Sequence, residues 1–281
     1  MKLQITHRTR YAYAQPVMES FNEVRLQPTS ADGQVCHSFI LKVLPTARLS
    51  HYHDFNLNYV HFFELPEPHD TLLVESNSIV TTSALQVGPA DVGFPMSRLA
   101  ECAQMERCYE FLLGSHYVSL GPDVWRLAMD ATVGETEAWS AVNAIMRFIH
   151  KNFVYLPDST TVNTPMSEAI AQRRGVCQDF AHVMIGMCRS LKIPARYVSG
   201  YLYNGPEDQL QGAQASHAWV EVFLPEIGWR ALDPTNNQLA DERHVRVAVG
   251  RDYADVAPIK GNYKGTPQKT MIVEVSVTAL N

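Results

Sequence analysis

The sequence lacks the features that mark several specialised classes of protein. It contains no CxxC pair, and its cysteines are odd in number, at positions 36, 102, 108, 177 and 188. Neither a disulfide framework nor a zinc ribbon is predicted, and we expect the thiols to be reduced. Positive charge is also scarce: 23 lysines and arginines face 29 acidic residues, for a net charge of −6. Non-specific nucleic-acid binding therefore lacks its electrostatic driving force.

Long apolar segments are absent as well. The longest, from Phe180 to Cys188, has nine residues, whereas a membrane helix needs ~20. The N-terminal MKLQITHRTRYAYAQ has no continuous apolar core, so we predict no signal peptide and, by default, the cytoplasm. Fifteen glycines and sixteen prolines in 281 residues are too few for collagen or low-complexity disorder. The remaining class is an ordinary globular protein.

The first part of the chain alternates between apolar and polar residues. Leu3, Ile5 and Tyr11 share one parity, and short runs around residues 39–43 and 55–59 repeat the pattern between turn-forming residues. Such runs predict an antiparallel β-sandwich. The segment QVGPADVGFP, residues 86–95, is rich in Gly and Pro and resembles a linker. We therefore predict a β-sandwich domain over residues 1–88 and a second domain over 89–281.

The second part of the chain begins with helical periodicity. It predicts helices from Ser97 to about Leu113, after Pro122, from about 135 to 151 and from 164 to 175. Residues 180–191 are apolar on most faces, which indicates a buried helix. Strands are predicted over 195–203, 216–224, 229–233 and 270–280. The predicted fold class is α+β.

Cys177 is the first candidate for chemistry. It opens the predicted buried helix, where the helix dipole and free backbone N–H groups favour a thiolate and an oxyanion. Asp179, two residues later, suits a helix N-terminus but works against a local thiolate. Taken alone, a free cysteine is more often a small buried apolar residue.

His217 and Asp233 lie on two consecutive predicted strands. Residues 218, 220, 222 and 224 are apolar, so His217 lies on the other strand face. Pairing Leu224 with Trp229 puts His217 opposite residue 236, and a small register shift or bulge brings Asp233 across from it. A cysteine, a histidine and an aspartate so arranged suit nucleophilic acyl transfer. Taken singly, His217 is a strand-end histidine and Asp233 a turn residue before proline.

Three segments carry a resemblance to a known family. G-V-C-Q-D-F-A, H-A-W-V-E-V and G-W-x-x-L-D-P-T occur in the order and spacing of the transglutaminase-like superfamily, within about residues 135–237. The preceding β segment resembles the N-terminal domain of many bacterial members. The resemblance implies a papain-like α+β core with Cys177 as nucleophile, His217 as general base and Asp233 as orienting acid. By analogy, Tyr155 is the candidate second oxyanion donor, with a plain core tyrosine as the alternative.

The resemblance implies an enzyme that forms a thioester from a peptide or carboxamide. Gln178 stands where animal crosslinking enzymes carry Trp, and no acidic cluster indicates their calcium sites. We therefore favour hydrolysis, as a protease or amidase, over crosslinking. The predicted partner is a peptide or protein substrate, with no nucleic acid, no membrane and an open oligomeric state. No cofactor is expected.

A metal site is also not expected, because His51 and His53 lack a third ligand at a metal-like spacing. Three alternatives stay open. The chain is a non-catalytic protein-binding scaffold, a crosslinking transglutaminase, or an acyltransferase that uses a thioester donor such as coenzyme A, as the arylamine acetyltransferases do. For the last we see no basic pocket or phosphate loop.

Overall fold

A computed structural model describes residues 1–83, 93–157, 159–160, 164–205, 210–212, 216–225 and 227–280. The predicted linker around residues 86–95 and the domain boundary after residue 88 lie wholly or largely outside the described residues, and the two-domain division stays a prediction. The fold consists of an N-terminal β-sandwich and an α+β core, as the sequence predicts.

The described residues form fourteen β-strands. Their bounds are β1 Lys2–Val24, β2 Gln34–Leu44, β3 Ser50–His53, β4 Tyr59–Leu65, β5 His69–Thr82, β6 Val154–Tyr155, β7 Arg174–Gly175, β8 Ala195–Leu202, β9 His217–Leu224, β10 Gly228–Asp233, β11 Gln238–Leu239, β12 His244–Gly250, β13 Ile259–Lys264 and β14 Lys269–Ala279. The α-helices are α1 Glu106–Tyr109, α2 Pro122–Ala131, α3 Ala138–Asn152, α4 Met166–Gln172, α5 Cys177–Ser190 and α6 Tyr253–Val256.

The sandwich is organised around β1, which takes part in both of its layers. The first half of β1 pairs with β5 and β14, and the second half pairs with β4 and β13. Its register shifts between Ala12 and Val17, where the strand passes from one layer to the other. Alternate side chains from both layers, among them Tyr11, Phe63 and Val74, form the core between them.

The C-terminal strands return to this sandwich. The strand predicted over residues 270–280 is confirmed as β14, and its partner is β1 over Leu3 to Tyr13. The sandwich therefore contains strands from the N-terminal and from the C-terminal part of the chain. The sequence predicts the strand but not its partner, because the two segments lie far apart along the chain.

The α+β core is a buried helix on an antiparallel sheet, as predicted. Thirteen of the fourteen residues of α5 are buried, and α5 packs on β8 and β9 of a sheet ordered β11-β10-β9-β8-β12. Helices α2, α3 and α4 pack against α5 from its other sides. In the part of the chain that the structure describes, no helix is long and apolar enough to cross a bilayer.

Arg189 fixes the C-terminal end of α5. Its buried guanidinium donates five hydrogen bonds, of 2.6–3.3 Å, to the carbonyl oxygens of Ala195, Leu113 and Arg251 and to the hydroxyl of Ser115. Every bond reaches a residue outside the helix. The helix that carries Cys177 is thereby tied to β8 and to the segment that follows β12.

Two local predictions are wrong. The helix predicted from Ser97 to Leu113 is instead three short pieces, the 3-10 helix Met96–Gln104, α1, and the 3-10 helix Glu110–Leu112, because Met105 adopts extended backbone. Residues 55–58 of the predicted alternating run form a turn before β4, since the Asp54 carboxylate accepts bonds from the Asn56 and Asn58 amides. Leu57 there has a positive φ of 62°.

Candidate active site

Cys177 is the first residue of α5. The preceding residue, Val176, is extended, and Cys177 is 8% exposed. Gly175 allows this sharp start, because a Cβ at that position would lie 2.6 Å from Asp179 Oδ2. The thiol therefore lies where unpaired backbone N–H groups and the positive end of the helix dipole meet.

The Asp179 carboxylate turns back onto the start of the helix. Its Oδ2 accepts bonds from the Val176 amide at 2.8 Å and from the Thr160 hydroxyl at 2.6 Å. Burial raises the pKa of Asp179. The carboxylate that counts against a thiolate in the sequence therefore caps the start of the helix.

His217 and Asp233 are in direct contact. The His217 Nε2–H group donates to Asp233 Oδ2 at 2.8 Å, and neither side chain is exposed to solvent. The predicted hairpin register is wrong by one residue, because Gly228, with a φ of 73°, lets β10 begin one residue earlier and pair with Leu224. Continued by one residue, this register puts Asp233 opposite Trp219, on the strand face that carries His217.

The Asp233 carboxylate accepts five hydrogen bonds. Its Oδ1 receives the Thr235 and Asn236 amides at 2.9 and 3.2 Å. Its Oδ2 receives His217, the Asn236 side-chain amide at 2.7 Å and His244 Nε2 at 3.3 Å. Burial opposes ionisation, but the two histidines outweigh it and hold the pKa of Asp233 well below its usual range. The group is fixed in orientation and ionised at neutral pH.

The second ring nitrogen of His217, Nδ1, makes no short hydrogen bond. Among the described residues it has no hydrogen-bond partner at normal distance, but the Cys177 thiol is close enough for a longer hydrogen bond to the ring. Burial lowers the pKa of His217, but the negative charges of Asp233 and of a Cys177 thiolate outweigh burial and raise it well above its ordinary value. The site therefore favours the imidazolium form of His217 beside the Asp233 carboxylate.

The backbone of the segment 210–212 lies against the Nδ1 edge of this ring. Gly212 has a φ of 84°, and a Cβ there would lie 2.6 Å from His217 Nδ1. The neighbouring Gln211 exchanges bonds of 2.9 and 3.2 Å with the Asn236 side chain. Asn236 thus connects the segment over His217 to the carboxylate of Asp233.

Tyr155 lies beside the start of α5. Strand β6 pairs in parallel with β7, which sets Tyr155 against Gly175, two residues before Cys177. The ring contacts Phe180 edge-to-face, with centroids 6.3 Å apart. Burial, with the negative charges of Cys177 and Asp233, raises the pKa of Tyr155 to about 12. The hydroxyl therefore keeps its proton at neutral pH and lies within electrostatic range of the thiol.

Sequence reasoning missed His244, Trp219 and Asn236. The rings of His217 and His244 both approach Trp219, with centroids 6.0 and 5.3 Å from it. The Asp-Pro-Thr-Asn turn signals the place of Asn236, since a turn after Asp233 returns its side chain to the carboxylate. His244 gives no such signal, because it lies on β12, a strand that the sequence pattern does not predict.

Among the described residues, one group of three potential metal ligands occurs: His217, Asp233 and His244. Their ligand atoms lie within 4.8 Å of one another, so this donor set could hold a metal ion, although hydrogen bonds already join both histidines to the carboxylate. His51 and His53 lie on β3 of the sandwich, where His51 pairs with His61 across the sheet. None of the five cysteines, all of which lie in the described residues, forms a disulfide.

Two family models match the chain. Residues 126–234 match the transglutaminase-like superfamily, and residues 3–81 match the bacterial transglutaminase-like N-terminal region. The crystal structure of a Cytophaga hutchinsonii protein, provisionally described as a cysteine protease, covers 100% of this chain and 92% of its own. It aligns with a TM-score of 0.75 at 24% identity, so it shows the shared fold.

Two related sequences extend this comparison. An uncharacterized protein of Mycobacterium leprae is 36% identical over 287 residues, which cover 99% of each chain. The protein-glutamine gamma-glutamyltransferase of Pseudomonas aeruginosa is 34% identical over 137 residues, which cover 44% of this chain and 20% of that longer one. The family models thus match the N-terminal and the central part of the chain, and the Mycobacterium leprae protein matches almost its full length. The chain belongs to the transglutaminase-like superfamily.

Proposed function

We propose that this protein is a cysteine enzyme that transfers the acyl group of a peptide or carboxamide, by way of a thioester on Cys177. The observation that carries the proposal is the buried His217–Asp233 contact at 2.8 Å beside a thiol at a helix N-terminus. In this proposal Cys177 is the nucleophile, His217 the acid and base, and Asp233 the group that orients His217.

The hydrogen bond at Nε2 sets the direction of proton transfer. Because Asp233 accepts the Nε2–H proton, neutral His217 has its lone pair at Nδ1, which can take the thiol proton. The raised pKa of His217 favours the resulting thiolate–imidazolium pair. After the thiolate attacks the carbonyl carbon, the imidazolium gives its proton to the leaving amine, and the thioester remains.

Two donors are candidates for the negative oxygen of the tetrahedral intermediate. The first is the backbone N–H of Cys177, because the first N–H groups of a helix have no partner within it. The second is the Tyr155 hydroxyl. If Tyr155 donates, Tyr155→Phe lowers kcat by about a hundredfold without changing the free energy of unfolding, whereas full activity would remove Tyr155 from the proposal.

Water is the proposed acceptor, so the reaction is hydrolysis of a peptide or protein substrate. Amine transfer is the second candidate, favoured by the similarity to the Pseudomonas aeruginosa protein-glutamine gamma-glutamyltransferase. The cytoplasmic location stays a prediction.

The test is mass spectrometry of the intact protein after brief incubation with a peptide library and acid quenching. We expect one acyl adduct on the protein, which fragmentation of the tryptic peptide 175–189 assigns to Cys177 rather than to Cys188, and no adduct in Cys177→Ala. Cys188→Ala is the matched control, because burial in the same helix raises the pKa of Cys188 to about 12 and its loss should leave the adduct unchanged. A second arm with a primary amine separates hydrolysis from transfer.

The main rival is a protein-binding scaffold without chemistry. A scaffold predicts no adduct with any peptide and alkylation of Cys177 by iodoacetamide only at the pH of an ordinary thiol. Alkylation well below pH ~8.5 that disappears when His217 is replaced would count against the scaffold.

A further inference from the structure

His244 touches the site but has no role in the proposed reaction. It begins β12, its side chain is 2% exposed, and its Nε2 lies 3.3 Å from Asp233 Oδ2. This is the same oxygen that accepts the bond from His217. Two buried imidazoles therefore share one carboxylate oxygen.

The protonation of His244 follows from its other ring nitrogen. The backbone N–H of Asp241 points to Nδ1 at 3.1 Å. Because an amide N–H can only donate, Nδ1 of neutral His244 is an acceptor, and the proton is on Nε2. The contact with Asp233 is therefore an N–H donated to the carboxylate.

The same contact persists if His244 takes up a proton. Asp241 Oδ1 lies 3.1 Å from Nδ1 and would accept the added proton. Two bonds from the Arg243 guanidinium, of 2.6 and 2.8 Å, hold the Asp241 carboxylate in place. In both protonation states of His244, its Nε2–H faces Asp233.

We propose that His244 is a positioning residue, which competes with His217 for Oδ2 of Asp233 and so limits how firmly the carboxylate holds the His217 proton. The inference rests on the proposed function, since it assigns His244 to that reaction. The groups that face His244 are Asp233 on β10, Asp241 in the preceding turn, and His217 and Trp219 on β9.

The competition has a defined consequence. Without the donor from His244, Asp233 keeps more negative charge for His217, and the imidazolium becomes harder to deprotonate. His217 would then return its proton to the leaving amine less readily, so kcat should fall while substrate binding is unaffected.

The experiment compares His244→Phe, which keeps a planar ring without a donor, with His244→Gln, which keeps an N–H group. Nuclear magnetic resonance of nitrogen-labelled histidine follows the His217 imidazole across pH without any substrate. Steady-state kinetics on the acylating peptide supplies kcat and KM. His69→Phe is the matched control, because His69 is also buried but lies in the sandwich.

We expect His244→Phe to raise the pH at which His217 deprotonates by about one to two units, the equivalent of one hydrogen bond to a charged group. It should lower kcat about tenfold to a hundredfold, as for loss of one hydrogen bond to a charged group, with KM within about twofold. His244→Gln should restore most of both, and His69→Phe should change neither.

An unchanged His217 titration in folded His244→Phe would overturn the proposal, as would equal losses in the Phe and Gln variants. If His244→Phe does not fold, His244→Asn, too short to reach Asp233, is compared with His244→Gln under the same criteria. A shifted titration in a protein that forms no thioester would refute the proposed function alone. A thioester with an unshifted titration would refute the role of His244 alone.

Discussion

Asp233→Asn is the substitution whose outcome the structure determines most fully. The Thr235 and Asn236 amides both point at Oδ1 of Asp233 and must keep an acceptor there. The side chain of an asparagine at this position is therefore forced to direct its carbonyl oxygen toward them. Its NH2 group then takes the place of Oδ2, facing His217.

This orientation reverses the hydrogen bond to His217. The introduced NH2 donates to Nε2, so the lone proton of neutral His217 moves to Nδ1, and the ring cannot accept the thiol proton. The same reversal in a serine protease lowers kcat by about 10⁴, and we expect a loss of that order here. His244 and the Asn236 side chain would each lose an acceptor, at about 1–3 kcal/mol per buried donor. The free energy of unfolding should therefore fall by about 2–6 kcal/mol.

The assay is the rate of thioester formation in a single turnover, with iodoacetamide alkylation of Cys177 at neutral pH as a substrate-free measure of the thiolate. Asp32→Asn is the matched control, because that carboxylate is 66% exposed in a surface ion pair and its loss should leave both rates unchanged. If Asp233→Asn is folded and keeps more than about a tenth of the wild-type rate, the assigned roles of His217 and Asp233 are wrong.

Three further predictions concern pH, packing and the segment over the ring. Because the pKa of His217 is raised in the folded state, its contribution to stability is complete below its unfolded pKa of about 6.5 and is lost as the pH rises through its folded pKa. The lowered pKa of Asp233 acts in the opposite direction, so its contribution is lost in acid. Urea titrations should therefore show the free energy of unfolding declining above pH ~6.5, with a weaker decline in Asp233→Asn. Arg189→Leu leaves three carbonyl oxygens without their donor, and chemical denaturation should show a loss of at least about 3 kcal/mol in the free energy of unfolding. Arg98→Leu, which removes only a surface ion pair with Glu101, should cost no more than about 1 kcal/mol; equal effects would contradict the role of Arg189 in fixing the end of α5. Gly212→Ala and Gly205→Ala both place Ala at a positive φ, but only position 212 faces His217, so only Gly212→Ala should slow alkylation of Cys177, and equal slowing would count against that contact.

The parts of the fold that sequence predicts well depend on local patterns. The parity of Leu3 and Ile5 places them correctly in the core, because strand alternation needs only neighbouring residues. The apolar faces of residues 180–191 likewise predict a helix buried on all sides. The position of Cys177 at the start of that helix follows from the same pattern.

Local sequence patterns predict only part of the candidate site. The sequence alone predicts a hairpin that brings Asp233 near His217. The actual register depends on Gly228, whose left-handed backbone lets it pair with Leu224 and so begins β10 one residue earlier. The sequence pattern does not predict the place of His244, because β12 reaches the site by pairing with β8, as His244 does with Leu202, far earlier in the chain. Pairing over that distance is decided by packing, which a local pattern does not report.

A glycine in β8 shows how packing brings these elements together. Gly200 pairs with His217 on one side and Arg246 on the other. A Cβ at this position would overlap the Val245 carbonyl oxygen and lie 2.5 Å from the Trp219 ring. The missing side chain thus leaves room for Trp219 to lie across β8 toward the ring of His244. Strand β8 lies between β9 and β12. With no side chain at Gly200, the space above β8 stays open, and a histidine from each flanking strand reaches the same oxygen of Asp233.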